Sequence, residues 1–334
     1  MDFGFSDDQL AFRDAVRDLL ADACPPTAVR AAWEGGPGYD AKLWRRLGDM
    51  GVLGLLAPES GGGLGLTEVD LVLLLEETGR VALPGPIVEH AAVGVPLLAG
   101  TGDLSSRVIA GEALVTVSDR ADRVGWAEVA DAVLLLDGAE CSLVEPVSAE
   151  ALDSVDRSRR DARIEVGERS VLPAVDADLA QDRAALGTAA QLCGVSAHLI
   201  DVTVEYVNQR HQFGVPIGSF QAIKHHLADA LLLLEHARPP VYRAAWSVAQ
   251  GSPYRARDVS MAKAMAGRAA AVAARVALQC HGAIGYTWEH DLHLWLKRAW
   301  VLERAWGTTD EHRARVADAV LRPSGPGEGE LGGR

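Results

Sequence analysis

The sequence lacks features that define several classes of protein. No apolar run reaches the ~18 residues of a membrane span, and Asp2, Asp7 and Asp8 replace the basic and then apolar start of a secretory signal. The four cysteines form no C-x-x-C pair, so neither a disulfide framework nor a thiolate metal site is predicted. We therefore expect a cytoplasmic protein that makes no membrane contact.

Basic residues are also scarce. The chain has 32 Lys and Arg against 46 Asp and Glu, which gives a net charge of -14. Nucleic acids and anionic membranes favour a basic surface, so neither partner is expected. Five clustered histidines fit no common metal-ligand spacing, and no metal site is predicted. They are His225, His226, His281, His290 and His293.

Apolar residues, by contrast, make up 49% of the 334 residues, enough for a large core. A Ser6-x-x-Gln9 capping box opens an amphipathic pattern, and segments 43–50 and 69–81 are also helix candidates. Between about residues 100 and 176, short β-branched runs separated by Gly and Asp turns predict strands. From 179 to about 319, long Ala, Leu and Val runs predict a helical bundle. A break or kink is expected at Pro239 and Pro240.

The predicted fold class is therefore mostly α with a small β domain. The expected divisions are a helical N-terminal domain (1–99), a reduced β middle domain (100–177) and a helical-bundle C-terminal domain (178–322). The tail, 323–334, is mostly Gly, Pro and Glu, a composition typical of disorder.

Two distant segments combine a cation, glycines, aromatics and amides in a way that packing alone does not demand. One reads R-x-x-F-G-x-P-I-G-x-F-Q from Arg210 to Gln221, and the other reads Q-C-H-G-A-I-G-Y from Gln279 to Tyr286. Both resemble the flavin-binding signature of the acyl-CoA dehydrogenase family. The stretch from 43 to 86, with its Leu-Trp, Gly-Gly-Gly and Leu-Pro-Gly-Pro motifs, resembles the N-terminal helical domain of that family.

The resemblance implies FAD as cofactor and α,β-desaturation of an acyl-CoA thioester, with the cofactor performing the redox chemistry. Arg210 matches a cation that reaches the flavin pyrophosphate from a neighbouring subunit; a surface salt bridge is the alternative. The resemblance also implies that Phe213 packs against the adenine end of the cofactor, and the alternative is that Phe213 is a core residue. The other implied cofactor contacts are Gln212, Gln221, Gln279, Gly282 and Thr308, and for the glutamines a solvated helix face is the alternative.

The catalytic carboxylate implied by the resemblance is missing. In many relatives a glutamate lies in a late Glu-Gly-Thr triplet, and here the match is Trp306-Gly307-Thr308. In a second group it lies before the R-x-x-F-G motif, where this chain has Ala184. Asp182 and Glu303 are candidates for a displaced base, although such acids are more often caps or solvated charges. No catalytic residue is therefore assigned.

The middle domain also departs from the family pattern, because its Thr-Glu-Pro and Trp-Ile-Thr segments are absent. The leading hypothesis is an acid-lacking subunit of a heteromer, as in the shortened subunits of bacterial α2β2 dehydrogenases that act on steroid side-chain CoA thioesters. One alternative is a self-sufficient dehydrogenase with a displaced base, which would act as a homo-oligomer. The other is a flavin-free scaffold or acyl-CoA-binding protein.

Overall fold

Helices dominate the N-terminal part of the computed structural model, which describes residues 4–173 and 175–321. The first helix begins at the predicted capping box, in which Ser6 Oγ accepts from Gln9 N and Gln9 Oε1 accepts from Ser6 N. A π-helical stretch, Val88–Gly94, lies between the fourth and fifth helices. The six α-helices of this part are α1 (Asp7–Ala23), α2 (Pro26–Glu34), α3 (Ala41–Asp49), α4 (Glu68–Arg80), α5 (Val95–Leu98) and α6 (Asp103–Ile109).

A five-stranded sheet follows, with the strand order β1-β3-β4-β5-β2. β1 and β3 are parallel, and the other pairs in the sheet are antiparallel. Its strands are β1 (Val115–Ser118), β2 (Val124–Gly125), β3 (Ala132–Asp137), β4 (Glu140–Ala151) and β5 (Asp161–Val171). One face of β3 packs into the main core through Leu134 and Leu136, and the other contributes Val133 and Leu135 to a smaller cluster. The sheet therefore docks onto the helices by one face.

The C-terminal part is again helical. Here α7, α8 and α9 pack together, α4 packs on α7, and α10 and α11 pack against α9. A two-residue pair of strands, β6 (His211–Gln212) and β7 (Val215–Pro216), joins α7 to α8. The helices are α7 (Ala177–Gln209), α8 (Gln221–Ala249), α9 (Arg255–His281), α10 (Leu292–Arg304) and α11 (Thr309–Leu321). The predicted mostly-α fold with a small sheet is confirmed.

Of the break or kink expected at Pro239 and Pro240, the break was wrong, because α8 continues through both residues, and the kink stays a prediction. Each proline removes the donor for the carbonyl four residues earlier, at Glu235 and His236. Both of those residues are exposed, so water can satisfy the two carbonyls. The predicted disordered tail lies outside the described residues.

Candidate functional site

The Arg210–Gln221 motif forms a tight hairpin at the end of α7. The positive φ values of Phe213 (54°) and Gly214 (82°), between the paired residues Gln212 and Val215, are those of a two-residue type I′ turn. Phe213 is 93% exposed and is therefore not a core residue. Its ring meets that of Phe220 edge-on, with centroids 6.2 Å apart. The hairpin thus presents an aromatic ring to the surroundings in a backbone conformation that is unfavourable for a bulky residue.

Arg210 is exposed at the base of this hairpin. Its backbone ends α7 by donating to Tyr206 O and accepting from Ile217 N. Its guanidinium forms no ion pair with any residue of the described ranges 4–173 and 175–321. The alternative role of Arg210, a surface salt bridge, is therefore not seen within those ranges. Gln212 is also exposed, as is Gln221 at the first turn of α8.

The second motif lies at the same end of the helical bundle. His281, the last residue of α9, stacks on Tyr206 of α7 with ring centroids 4.2 Å apart. Gly282 then adopts a φ of +62°, and a Cβ built on it would meet no atom within 4 Å. Gln279 is exposed on the preceding turn. The structure therefore places the Gln279 and Gly282 segment beside the end of α7 that carries Arg210.

Thr308 lies elsewhere. It begins α11 in a capping box, in which its backbone N donates to Glu311 Oε2 at 2.7 Å. The neighbouring Gly307 carbonyl accepts from Lys263 Nζ at 2.8 Å, which ties this turn to the first half of α9. Because α9 rises ~1.5 Å per residue, Lys263 and His281 are about 27 Å apart along its axis. Within one chain, Thr308 therefore lies far from Gln279 and Gly282, and its contact with the cofactor stays a prediction.

The turn that carries Trp306 is held from inside the protein. Trp306 has a φ of +57°, and its carbonyl is 2.9 Å from His312 Nε2. Lys263 is 0% exposed and donates to the Glu303 carbonyl at 2.9 Å as well as to Gly307. Burial lowers the pKa of Lys263 to about 8. These contacts hold the turn through its backbone carbonyls, while the Trp306 side chain packs partly against the main core.

Beside this turn, a cleft of about 790 Å³ opens between the sheet and α10 and α11. Trp306 and Thr308 line it, as does Glu89 of the π-helical stretch. The buried acids of the cleft are engaged: Glu89 pairs with Arg159 at 3.6 Å, and Asp161 pairs with Arg123 at 2.8 Å. Three further carboxylates, Asp119, Asp153 and Glu311, lie exposed in its lining, and Glu311 accepts from Thr308 N.

The two candidates for a displaced base have structural partners. Asp182 Oδ2 accepts from Arg255 Nε at 2.9 Å, and burial raises the pKa of Asp182 to about 6. Glu303 Oε1 accepts from Thr309 N at 3.0 Å and so caps α11. Neither residue is among those that line the cleft.

An ionic network around residues 156–161 was missed at the level of sequence. Arg298 on α10 is buried and donates to Asp156, to the Leu83 carbonyl and to Ser158 Oγ. Arg159 stacks over Trp126 with its guanidinium carbon 5.2 Å from the ring centroid. The run Arg157-Ser158-Arg159-Arg160 in an acidic chain was the signal that could have indicated this network.

Within the described ranges, no group of three or more His, Cys, Asp or Glu side chains could hold a metal ion. Over the same part of the chain, no helix combines the length and apolar character of a transmembrane segment.

Known proteins resemble this chain along most of its length. The acyl-CoA dehydrogenase N-terminal domain model matches residues 6–110, and the acyl-CoA dehydrogenase C-terminal domain model matches residues 174–321. The acyl-CoA dehydrogenase IpdE2 of Mycolicibacterium smegmatis is 35% identical over 318 residues, which cover 95% of this chain and 100% of the relative. The IpdE2 of Mycobacterium tuberculosis is 34% identical, covering 86% of this chain and 89% of the relative.

Solved structures agree with these sequence matches. The ChsE4-ChsE5 complex from Mycobacterium tuberculosis contains a chain that is 25% identical, with a TM-score of 0.88 and coverage of 97% of this chain and 100% of that one. The Tcur3481-Tcur3483 steroid ACAD gives a TM-score of 0.86 at 24% identity, covering 94% and 98% of the two chains. With the two domain matches and the full-length relatives, these likenesses show that the chain belongs to the acyl-CoA dehydrogenase family.

Proposed function

We propose that this chain is the acid-lacking subunit of a heteromeric, FAD-dependent acyl-CoA dehydrogenase. The observation that carries the proposal is the turn at Trp306. Its backbone is held by Lys263 and His312, yet it presents an indole to the cleft, and an indole cannot accept a proton. The catalytic carboxylate then comes from a related subunit.

The residues at the Arg210 end fit the cofactor. FAD carries a diphosphate and two planar ring systems, and when bound it supplies the hydride acceptor. Arg210 offers a guanidinium with no ion-pair partner in the described part of the chain, suited to bidentate contact with a diphosphate. Gly282 leaves room for close backbone approach, and the exposed ring of Phe213 can pack on an adenine. Gln212, Gln221 and Gln279 provide amides at the same end.

This chain would therefore act on a cofactor shared with its partner. Arg210 and Gln279 would bind and orient the dinucleotide, while the partner's cleft holds the thioester and its base removes the α proton. Thr308 lies at the opposite end of α9, in this chain's own cleft, so its proposed cofactor contact is made from a different part of the chain than that of Arg210. A structural neighbour from Mycobacterium tuberculosis is itself a complex, of ChsE4 with ChsE5, and this supports a heteromeric assembly for the present chain.

The substrate proposed is a steroid side-chain CoA thioester. The support comes from the Tcur3481-Tcur3483 neighbour, which is a steroid ACAD, together with the full-length similarity to IpdE2. Oxidation of the acyl group places the protein in lipid degradation.

The test is to isolate the tagged chain from its native host with the subunit that accompanies it. We expect a yellow complex that is bleached by acyl-CoA, and a partner whose sequence contains the missing glutamate. Changing that glutamate to Gln should abolish bleaching, whereas Asp182→Asn in this chain should not. Loss of bleaching with Asp182→Asn would instead identify a self-sufficient enzyme with a displaced base. A colourless complex would favour a flavin-free scaffold.

A further inference from the structure

A second cavity lies in the N-terminal part of the molecule, between α2 and α3. It has a volume of about 330 Å³, and among the described residues none lines both this cavity and the cleft beside Trp306. Its walls are mostly short or apolar side chains, such as those of Ala28 and Ala31 on α2 and Leu43 on α3. Because an apolar cavity of ~150 Å³ already holds a benzene ring, this one has room for a molecule of one or two rings.

An indole that lines this cavity has a buried donor without an acceptor. Trp44 is only 2% exposed, and its Nε1 has no hydrogen-bond partner within residues 4–173 and 175–321. Its ring packs edge-on against those of Tyr39 and His90, with centroids 5.8 and 5.1 Å away. Because a buried N–H without an acceptor is unfavourable, a bound molecule with an acceptor atom would be stabilised here.

The charged groups beside the cavity balance each other. Arg160 Nη2 donates to the carbonyl of Ala32, a lining residue, at 3.0 Å, while Arg160 Nε is a second buried donor that lacks a partner in the described part of the chain. A Cβ built on Gly38, which also lines the cavity, would lie 3.2 Å from that Nε. The carboxylate of Asp40 lines the cavity as well and caps α3 by accepting from Lys42 N at 2.8 Å. One guanidinium and one carboxylate therefore favour an uncharged ligand over either ion.

We propose that this cavity binds a compact, uncharged apolar molecule through a carbonyl oxygen that accepts from Trp44 Nε1. A carbonyl suits the site better than a hydroxyl, because it accepts without adding a further donor. The site lies apart from the Arg210 end and from the cleft. It is nevertheless connected to the cleft wall, since Trp44 packs on His90, and the neighbouring Glu89 lines the cleft.

The experiment titrates the full-length chain with indan-1-one and with indane, followed by calorimetry. These probes share a two-ring frame and differ in the carbonyl group. We expect indan-1-one to bind about tenfold more tightly than indane, the effect of one hydrogen bond to a buried donor. Trp44→Phe keeps an aromatic ring and removes the N–H, so it should lower the affinity for indan-1-one to that for indane and leave indane binding unchanged.

A second variant tests the location without altering Trp44. Ala28→Leu adds bulk to the cavity wall and should abolish binding of both probes, whereas Ala11→Leu, the same change at an exposed position of α1, should change nothing. Equal affinities for the two probes would overturn the recognition of a carbonyl. Binding that is absent, or that survives Ala28→Leu, would overturn the site itself. The titrations need neither FAD nor a partner subunit, so their outcome is independent of the proposed function.

Discussion

Two exposed residues mark the proposed functional surface. Arg210 is exposed and Phe213 is 93% exposed, and both belong to one short hairpin. Groups that serve the fold, such as Lys263 and Arg298, are instead buried and hydrogen-bonded. This contrast is what we expect if Arg210 and Phe213 bind a ligand or partner while Lys263 and Arg298 stabilise the fold.

The cofactor contact of Arg210 gives a direct prediction. Arg210→Ala should weaken FAD binding to the heteromer by about 1.5 to 3 kcal/mol, the usual value of a hydrogen bond to a charged group. Flavin released during dialysis measures the loss, and Arg169→Ala serves as the matched control. Equal flavin retention in the two variants would show that Arg210 does not bind the cofactor.

The environment of His90 indicates how the free energy of unfolding depends on pH. Its Nδ1 accepts from Val115 N at 3.1 Å and its Nε2 donates to the Val108 carbonyl at 2.9 Å, an arrangement that requires the neutral ring. Burial lowers the pKa of His90 to about 4, whereas the unfolded chain binds this proton near 6.5. The contribution of His90 to the free energy of unfolding is therefore fully present above pH 6.5, and it is lost as the pH decreases towards 4.

We expect the free energy of unfolding to fall by about 2 kcal/mol between pH 7 and pH 5 through His90 alone, because its ring binds a proton in the unfolded chain. Urea unfolding at the two pH values measures the difference. His90→Gln should have a shallower pH dependence, because it removes the titrating group. An unchanged dependence in that variant would assign the effect to other residues.

At the scale of elements, the crossing of α4 and α7 determines how the N-terminal helices meet the bundle. A Cβ added to Gly194 would lie 1.9 Å from the Glu76 carbonyl oxygen, and one added to Gly79 would lie 2.1 Å from the Gln191 carbonyl oxygen. Each helix therefore approaches the backbone of the other at a glycine.

Gly194→Ala should accordingly destabilise the protein by about 3 kcal/mol or more, because backbone atoms must move apart to admit the methyl group. Gly35→Ala is the matched control, since a Cβ there meets nothing within 4 Å and its φ is extended at 175°. Melting temperatures of the two variants test the prediction. Similar losses in both would contradict the close crossing.

Local patterns were sufficient to predict most elements, because helical periodicity and β-branched runs reflect local burial. The capping box at Ser6 and the helix from Glu68 to Arg80 are examples. The continuity of α8 was not predictable, because it depends on the exposure of carbonyls released by Pro239 and Pro240. The distance between Thr308 and Arg210 could not be predicted from the sequence either, because it depends on the direction in which α9 runs through the bundle.

For the molecule as a whole, we assign different roles to the two ends of α9. In the proposal, the Arg210 end faces a shared cofactor, and the cleft at the other end has an indole at position 306 where relatives have a carboxylate. Such a division suits a subunit that completes the site of another chain. The domain boundaries near residues 100 and 178 stay a prediction.

Anaerobic titration of the purified, FAD-supplemented chain with a steroid side-chain acyl-CoA tests the acid-lacking role most directly. We expect the visible flavin absorbance to persist with the lone chain and to be lost only when the partner subunit is added. Bleaching by the lone chain would contradict this role, because a carboxylate of this polypeptide would then be removing the α proton.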